Sequence, residues 1–237
     1  MAMKKSTMFK ILGFGVFIIM LSVTFVACSG DRMYNLVRHK LAEVRQTLFY
    51  AIDEHMEVTF ISGMRESEYA ADGIATELVP FGIVTFKLIG AQTGAGQARF
   101  EMLIGNDRFD GELELNPFDS TYMADIGTLV QGNAGPIVVR FLRGTFTDEL
   151  VMQSVSNGWK INHTEALRIA VRELRNELEN FVTNGEFSGE GYVKIITDPA
   201  NDFAVFYWYV SFVNRSGQTL AVIVDPMLGE VLARKTV

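Results

Sequence analysis

Hydrophobic residues recur every three or four positions through residues 162–181, and this spacing predicts an amphipathic helix. The residues of its apolar face are Leu167, Val171, Leu174, Leu178 and Phe181. Asn162 lies three residues before Glu165, which is the spacing of a capping box and predicts where the helix begins. Asn184-Gly185 is expected to end the helix, because glycine readily adopts the left-handed conformation of a C-cap.

Apolar runs after this helix predict an antiparallel sheet of four strands. The runs cover residues 191–197, 203–213, 219–225 and 230–235. The second run is almost unbroken by polar residues, so we expect a central strand that is buried on both faces and covered by the helix. Pro226 and Gly229 predict a tight turn before the last strand, since proline fixes one backbone torsion and glycine tolerates a positive φ.

The first part of the chain shows both kinds of periodicity. Residues 34–55 predict a second amphipathic helix, whose apolar stripe is Val37, Leu41, Val44, Leu48 and Ile52. Short segments with strand patterns follow at close spacing and predict an antiparallel sandwich or a curled sheet. They are residues 57–62, 84–88, 98–104, 108–115, 122–126, 137–142 and 149–155. The glycine-rich residues 90–96 predict a hairpin turn, because a phosphate-binding loop would require a helix to follow.

Ser156-Asn157-Gly158 separates the two patterns and is the natural boundary between two domains. The sequence therefore predicts an α+β protein. A helix with an antiparallel β-rich domain would occupy residues 34–157, and a helix packed on a four-stranded antiparallel sheet would occupy residues 158–237. The halves share no matching residues at a fixed offset, so the sequence gives no support for a duplication.

The N-terminus has the pattern of a secretory signal. Three lysines precede an uncharged apolar run at residues 11–27, which is shorter than the roughly 20 residues of a membrane span. The run ends in Ala27-Cys28, and a small residue followed by cysteine at this place resembles the lipobox of bacterial lipoproteins. This resemblance implies a signal peptide at residues 1–27, lipidation of Cys28 and an anchor linker at residues 28–33.

Phe25 departs from the leucine that is usual three residues before the lipidated cysteine. It also disfavours ordinary cleavage after Ala27, because that site requires a small residue at the same position. Two alternatives therefore stay open. An ordinary signal cut after Ser29 would give a secreted protein, and an uncut signal would act as a membrane anchor.

Composition narrows the classes of function. The single cysteine excludes an internal disulfide framework and a thiolate metal site. Three of the 21 basic residues and none of the 28 acidic residues lie in the predicted signal, which leaves a net charge of −10 on the remainder. An acidic surface of this kind disfavours nucleic acid and anionic membrane surfaces as partners.

The sequence contains no nucleophile elbow, no zinc-protease motif and no P-loop. The histidines, His39, His55 and His163, are scattered and predict neither a metal site nor a catalytic residue. Residues 106–111 resemble a calcium loop only briefly, since Arg108 stands at a ligand position. We therefore expect no cofactor and no enzymatic activity, although a site assembled between the two halves remains an alternative.

The C-terminal third resembles the PepSY domain, a module found in propeptides of secreted bacterial metalloproteases and in many envelope proteins. The resemblance rests on residues 164–170, 208–212 and 222–232, in which a strand leads through Asp225 and a turn with Gly229-Glu230 into a final strand. No protease domain follows these residues in the sequence, so a propeptide role in cis is not expected.

The PepSY resemblance implies protein binding, and the signal implies the cell envelope. We therefore expect a lipid-anchored, extracytoplasmic, non-catalytic binding protein with a protein partner in the envelope, where it would restrain or regulate a protease or another enzyme. One alternative is a structural or assembly lipoprotein without an enzyme target. Another is a lipoprotein that binds a small ligand. The sequence does not identify the residues of the binding surface.

Overall fold

A computed structural model describes residues 32–67, 72–90, 96–197 and 205–236. Its helices are α1 (32–37), α2 (His163–Glu173) and α3 (Arg175–Leu178), followed by a 3-10 helix at Glu179–Phe181. The first nine strands are β1 (Leu41–Ile52), β2 (Met56–Glu66), β3 (Leu78–Leu88), β4 (Arg99–Ile104), β5 (Asp107–Glu112), β6 (Glu114–Asn116), β7 (Thr121–Asp125), β8 (Ile137–Arg143) and β9 (Phe146–Ser154). The others are β10 (Val182–Thr183), β11 (Glu186–Phe187), β12 (Gly189–Thr197), β13 (Phe206–Asn214), β14 (Thr219–Val224) and β15 (Val231–Thr236). Within the described residues, no helix is both long and apolar enough to cross a membrane.

Strands β1–β9 form a curled, nearly closed antiparallel sheet in the order β6-β7-β3-β2-β1-β9-β8-β4-β5. Its two edge strands are consecutive in the chain, and Leu113 between them donates its backbone N–H to the carbonyl oxygen of Ala98 at 2.9 Å. Apolar side chains fill the interior, among them Phe60, Phe86 and Phe141. The predicted antiparallel β-rich architecture is confirmed, and it takes the form of a curled sheet.

The predicted helix at residues 34–55 is wrong beyond its first turn. Only residues 32–37 are helical, and Leu41–Ile52 is the long strand β1. The pairing of β1 with its neighbours shifts register near Ala42 and again near Gln46. A strand with such irregularities loses strict alternation, so its apolar residues recur at intervals of three and four and resemble a helical stripe.

The predicted hairpin at residues 90–96 is also wrong. β3 pairs with β2 and β7, whereas β4 pairs with β5 and β8. The glycine-rich segment therefore connects two strands that are not neighbours, and residues 91–95 lie outside the described part of the chain. A local turn pattern cannot show this, because strand pairing is decided by contacts between distant segments.

The capping box predicted for α2 is confirmed. Asn162 Oδ1 accepts the backbone N–H of Glu165 at 3.0 Å, and the Glu165 carboxylate accepts the backbone N–H of Asn162 at 3.0 Å. All residues of the predicted apolar face are buried in one core. The predicted end at Asn184-Gly185 is wrong, since α2 ends at Glu173. Both turn residues have positive φ, at 54° and 82°, and they connect β10 to β11 as a tight hairpin turn.

Strands β12–β15 form an antiparallel meander, and α2 packs on it through β12, β13 and β14. Trp208, Val210 and Phe212 of β13 are buried, so the prediction of a central strand covered by the helix is confirmed. The predicted burial of both faces is wrong, because Tyr207 and Tyr209 on the opposite face are only half-buried. Residues 198–202, between the first two predicted strands, have the composition of a loop and lie outside the described residues.

β1 joins the two parts of the fold into one sheet. Its first half pairs in parallel with β12, and its second half pairs with β9. Val44 and Leu48 contribute to the core beneath α2, whereas Phe49 contributes to the core of the curled sheet. The cores are therefore not separated along the chain at residue 157, and the domain boundaries stay a prediction.

Candidate functional site

The edge strand β15 carries the most open backbone of the C-terminal sheet. Within the described residues it pairs with β14 alone, so its outer N–H and C=O groups face away from the sheet. Such an edge is a template for another extended segment, whose backbone can complete the hydrogen bonding.

A cleft of about 620 Å³ lies beside this edge, between β15 and α2. Ile169, Arg172 and Glu173 line it from the helix, and residues 229–234 line it from the turn and the strand. We call this site the edge groove. Gly229 has φ 71°, and a Cβ there would lie 3.1 Å from Ile161 Cδ1 and 3.3 Å from Ile169 Cδ1. Glycine therefore lets the turn pack closely under the helix and begin the strand along it.

The turn that precedes β15 is held by Asp225. Its Oδ1 atom accepts the backbone N–H groups of Met227 at 2.7 Å and Leu228 at 2.8 Å. This arrangement leaves apolar side chains on the surface: Leu228 is 67% exposed and Leu232 is 49% exposed. Neighbouring exposed apolar residues at a sheet edge are typical of an interaction surface.

Some of the charged side chains in the edge groove already form ion pairs with each other. Arg234 forms ion pairs with Glu173, at 3.1 Å, and with Glu177. Arg172 is exposed and makes no ion pair within the described residues. The groove therefore offers an open backbone edge, apolar contacts and an available guanidinium, a combination that suits an extended peptide with apolar and acidic side chains.

The sequence did not reveal this surface. Residues 230–235 predict a strand, but the position of that strand at the sheet edge depends on pairing between distant segments. A local signal does exist, because Arg234 and Lys235 are charged residues of the kind that natural edge strands carry. Leu232 among them departs from that pattern, because it is apolar and exposed.

A buried ionic cluster connects β1 to β12. Glu43 is only 3% exposed, and its carboxylate lies 2.6 Å from Arg45 Nε and 2.6 Å from Lys194 Nζ. Burial alone would raise the pKa of Glu43, but Arg45 and Lys194 together lower it. Burial lowers the pKa of Lys194 in turn. The cluster is packed within the sheet junction, so we assign it to holding the two strands together.

Two further carboxylates are buried next to this cluster. Glu190 accepts a hydrogen bond from Tyr192 Oη at 2.5 Å, and Glu66 accepts one from the backbone N–H of Thr76 at 2.5 Å. Burial raises the pKa of Glu66, and the negative charges of Glu190 and Asp72 raise it further. The ionised form of Glu66 is therefore unfavourable in the folded protein.

Glu66→Gln is expected to stabilise the protein at pH 7. Its amide oxygen can still accept the N–H of Thr76 but carries no charge. Because the folded-state pKa of Glu66 is raised, the stability that its protonated form supplies is present below the ordinary carboxyl value of 4.5 and is lost as the pH rises through the folded-state pKa. Thermal unfolding should give a higher Tm for the variant at pH 7 and equal values near pH 4.

Glu114→Gln, on the exposed strand β6, is the matched control and should change the Tm at neither pH. An unchanged or lower Tm for Glu66→Gln at pH 7 would contradict the assigned burial of this carboxylate.

The histidines lie in separate elements. His39 is exposed beside Arg38, and His55 lies in the turn between β1 and β2, where its ring packs edge-on against Phe146 with 6.4 Å between centroids. His163 is the first residue of α2, and burial lowers its pKa. In the part of the chain that the structure describes, no three His, Cys, Asp or Glu side chains are placed to hold a metal ion.

Other sequence candidates have ordinary structural places. The calcium-like run at residues 106–111 lies in the turn and strand of the β4–β5 hairpin, which confirms its interpretation as a strand pattern. Glu112 accepts a hydrogen bond from Gln97 Nε2 at 2.8 Å. Cys28, the predicted lipidation site, lies outside the described residues.

No family model, curated protein or solved structure matches this chain. The PepSY resemblance and the lipoprotein signal therefore stay predictions that rest on the residues named above.

Proposed function

We propose that this protein is a lipid-anchored, non-catalytic binding protein of the bacterial cell envelope, and that it captures an extended segment of a partner protein along the edge groove. The observation that carries the proposal is the open edge of β15 beside α2, with Leu228 and Leu232 exposed next to it. The packing of α2 on the antiparallel strands β12–β15 supports our further proposal that residues 158–237 form a PepSY-like unit.

The binding mode is strand addition. The partner segment pairs with the outer backbone groups of β15, and these hydrogen bonds supply affinity that does not depend on its sequence. Successive side chains of a strand point to opposite faces, so every second residue of the segment faces α2. Ile169 contacts an apolar side chain there, and Arg172 pairs with a carboxylate.

Restraint of an enzyme follows from the same geometry. A segment that is fixed as an added strand is extended and held by its backbone, so it is not free to serve its own protein as a mobile loop or strand. An envelope protease or another enzyme whose active site depends on such a segment would be restrained while bound. A structural role without an enzyme target uses the same surface, and it is favoured if loss of binding alters envelope integrity and no enzymatic activity.

Leu232→Asp is expected to weaken peptide binding at least about tenfold, which corresponds to about 1.4 kcal/mol. The substitution adds a negative charge to the edge groove and removes the apolar side chain of Leu232, which is 49% exposed. Linear peptides from a random display library, selected on the purified protein, serve as the probe, and their Kd is measured by calorimetry.

Leu115→Asp is the matched control, because Leu115 is 54% exposed on β6, the edge strand at the opposite end of the sheet from β15. It should leave the Kd unchanged. Equal weakening by the two substitutions, or selection of no peptide at all, would contradict the assignment of binding to the edge groove.

Cys28→Ser is expected to move the protein from the membrane fraction to the soluble fraction. A lipid-modified cysteine supplies the hydrophobic anchor, since each buried methylene of an acyl chain contributes about 0.8 kcal/mol to membrane binding. Detergent phase partitioning and mass spectrometry of the N-terminus check this result. A mature N-terminus at Gly30, or an intact N-terminal segment that stays membrane-bound in the variant, would contradict the lipid anchor.

A further inference from the structure

A second concave site lies where β1 meets the C-terminal part of the fold. It is a cavity of about 310 Å³ between Gln46 and Thr47 of β1, the loop at residues 131–133 and the segment that leads into α2. We call it the junction pocket. It is separate from the edge groove and shares no lining residue with it.

The walls of the junction pocket are held by hydrogen bonds from neighbouring strands. Thr47 Oγ1 donates to the carbonyl oxygen of Val130 at 2.9 Å, and Ser62 Oγ accepts the backbone N–H of Val130 at 2.7 Å. A Cβ on Gly132 would lie 3.1 Å from Ser156 Oγ and 3.2 Å from Thr47 Cγ2. The loop is thus closely packed on β1 and β2, and the pocket is preformed.

The polar groups of the junction pocket are neutral. No Asp, Glu, Lys or Arg lines it. The side-chain amides of Gln46, Gln131 and Asn133 make no hydrogen bond to other described residues. An unpaired amide offers a donor and an acceptor at once, which is the combination that a hydroxyl group needs. Burial lowers the pKa of His163 at the rim, so this imidazole adds no charge at neutral pH.

The remaining wall is aromatic. Trp159 is half-buried and packs edge-on against Trp208, with 5.2 Å between ring centroids and 75° between ring planes. Trp208 donates its indole N–H to the carbonyl oxygen of Ile161 at 2.8 Å, which fixes the orientation of its ring. The pocket therefore combines a rigid apolar surface with a set of neutral hydrogen-bonding groups.

We propose that the junction pocket binds a neutral saccharide unit. A sugar ring carries hydroxyl groups that act as donors and acceptors, and its C–H face is apolar enough to pack against an indole. A charged ligand is disfavoured, because its charge would lose water and find no ionic partner in the pocket. The volume lies near the lower end of the roughly 300–1,000 Å³ of ligand sites, so it suits a single sugar ring better than a long glycan.

The tryptophans provide a direct readout. The chain contains only two, and both line this pocket, so fluorescence excited selectively at the indole rings reports on it. The full chain, in a detergent without a sugar headgroup, is titrated with N-acetylglucosamine, glucose and galactose, and with glucuronate and glucosamine as charged analogues. We expect a saturable change in emission with at least one neutral sugar. Binding of the charged analogue is expected to be at least about tenfold weaker, as for a loss of about 1.4 kcal/mol.

Gln131→Ala supplies the specific variant, since the Gln131 side chain makes no hydrogen bond within the described chain. It should weaken sugar binding at least about fivefold and leave the Tm unchanged, as for loss of one hydrogen bond to ligand. Gln97→Ala, far from the pocket, should leave binding unchanged. Absence of binding by fluorescence and calorimetry, equal affinity for neutral and charged sugars, or unchanged affinity of Gln131→Ala would each overturn the proposal.

Discussion

Gly63→Ala is expected to lower the free energy of unfolding by about 3 kcal/mol, the upper end of the usual range for overpacking. A Cβ at this position would lie 2.0 Å from the carbonyl oxygen and 2.9 Å from the carbonyl carbon of Val44. Both atoms belong to backbone, so no side-chain rotation can relieve the overlap. β1 cannot move aside either, because it pairs with β2 on one side and with β12 on the other.

Denaturant unfolding of the two proteins measures this difference. Gly111→Ala is the matched control on the edge strand β5, where the new Cβ would meet only the Phe100 ring, at 3.2 Å. We expect Gly111→Ala to lower the free energy of unfolding by about 1 kcal/mol or less, since the Phe100 side chain can shift by a few tenths of an ångström. If Gly63→Ala costs no more than Gly111→Ala, the close approach of β1 to β2 at the bulge is wrong.

Glu43→Gln is expected to lower the free energy of unfolding by about 3–5 kcal/mol at pH 7, which is the range for breaking a buried ion pair by removing one partner. The neutral amide leaves Lys194 largely buried without its counter-ion. Because the pKa of Glu43 is lowered in the folded state, its stabilisation is present above the ordinary carboxyl value of 4.5 and is lost as the pH falls through the folded-state pKa. The difference between the proteins should therefore shrink in acid.

The variant Glu43→Gln with Lys194→Met is expected to recover part of the loss, because it also removes the largely buried charge that Glu43 neutralises. Glu149→Gln, which breaks an exposed pair with Arg140, should cost less than about 1 kcal/mol. Denaturant unfolding at pH 7 and pH 4 measures all of these proteins. A loss for Glu43→Gln that is no larger than that for Glu149→Gln would show that the cluster does not hold β1 to β12.

Elements with uniform periodicity were predictable from sequence. The capping box at Asn162 places the start of α2 correctly, and the stripe from Leu167 to Phe181 identifies the buried face of α2, α3 and the 3-10 helix that follows. The apolar run that became β13 is central because β12 and β14 pair with it on either side and α2 packs on one of its faces. These features depend on local sequence and on burial, which the pattern records directly.

Features that depend on distant contacts were not predictable. The pairing of β1 with β2 and β12 contains bulges, and these break the strict alternation of its apolar residues. The spacing of Leu41, Val44 and Leu48 therefore resembles the apolar stripe of a helix. The Asn184-Gly185 signal predicted a helix C-cap, but the same left-handed conformations form the hairpin turn between β10 and β11.

The two candidate sites could not be predicted from the sequence for the same reason. The edge groove requires knowledge of which strand ends the sheet, and the side-chain amides of the junction pocket come from residues as far apart as Gln46 and Asn133. Neither set forms a motif along the chain. The fold brings them together because β1 pairs in parallel with β12, and no short-range pattern in the sequence predicts that pairing.

Amide hydrogen exchange with a selected peptide tests the strand-addition proposal most directly. The protein is labelled with and without a saturating amount of the peptide, and exchange is compared between β15 (Val231–Thr236) and a distant edge strand, β6 (Glu114–Asn116). We predict slower exchange in β15 on binding and no change in β6, because new backbone hydrogen bonds form only along the edge groove. Protection of β6, or peptide binding without protection of β15, would contradict the proposed function.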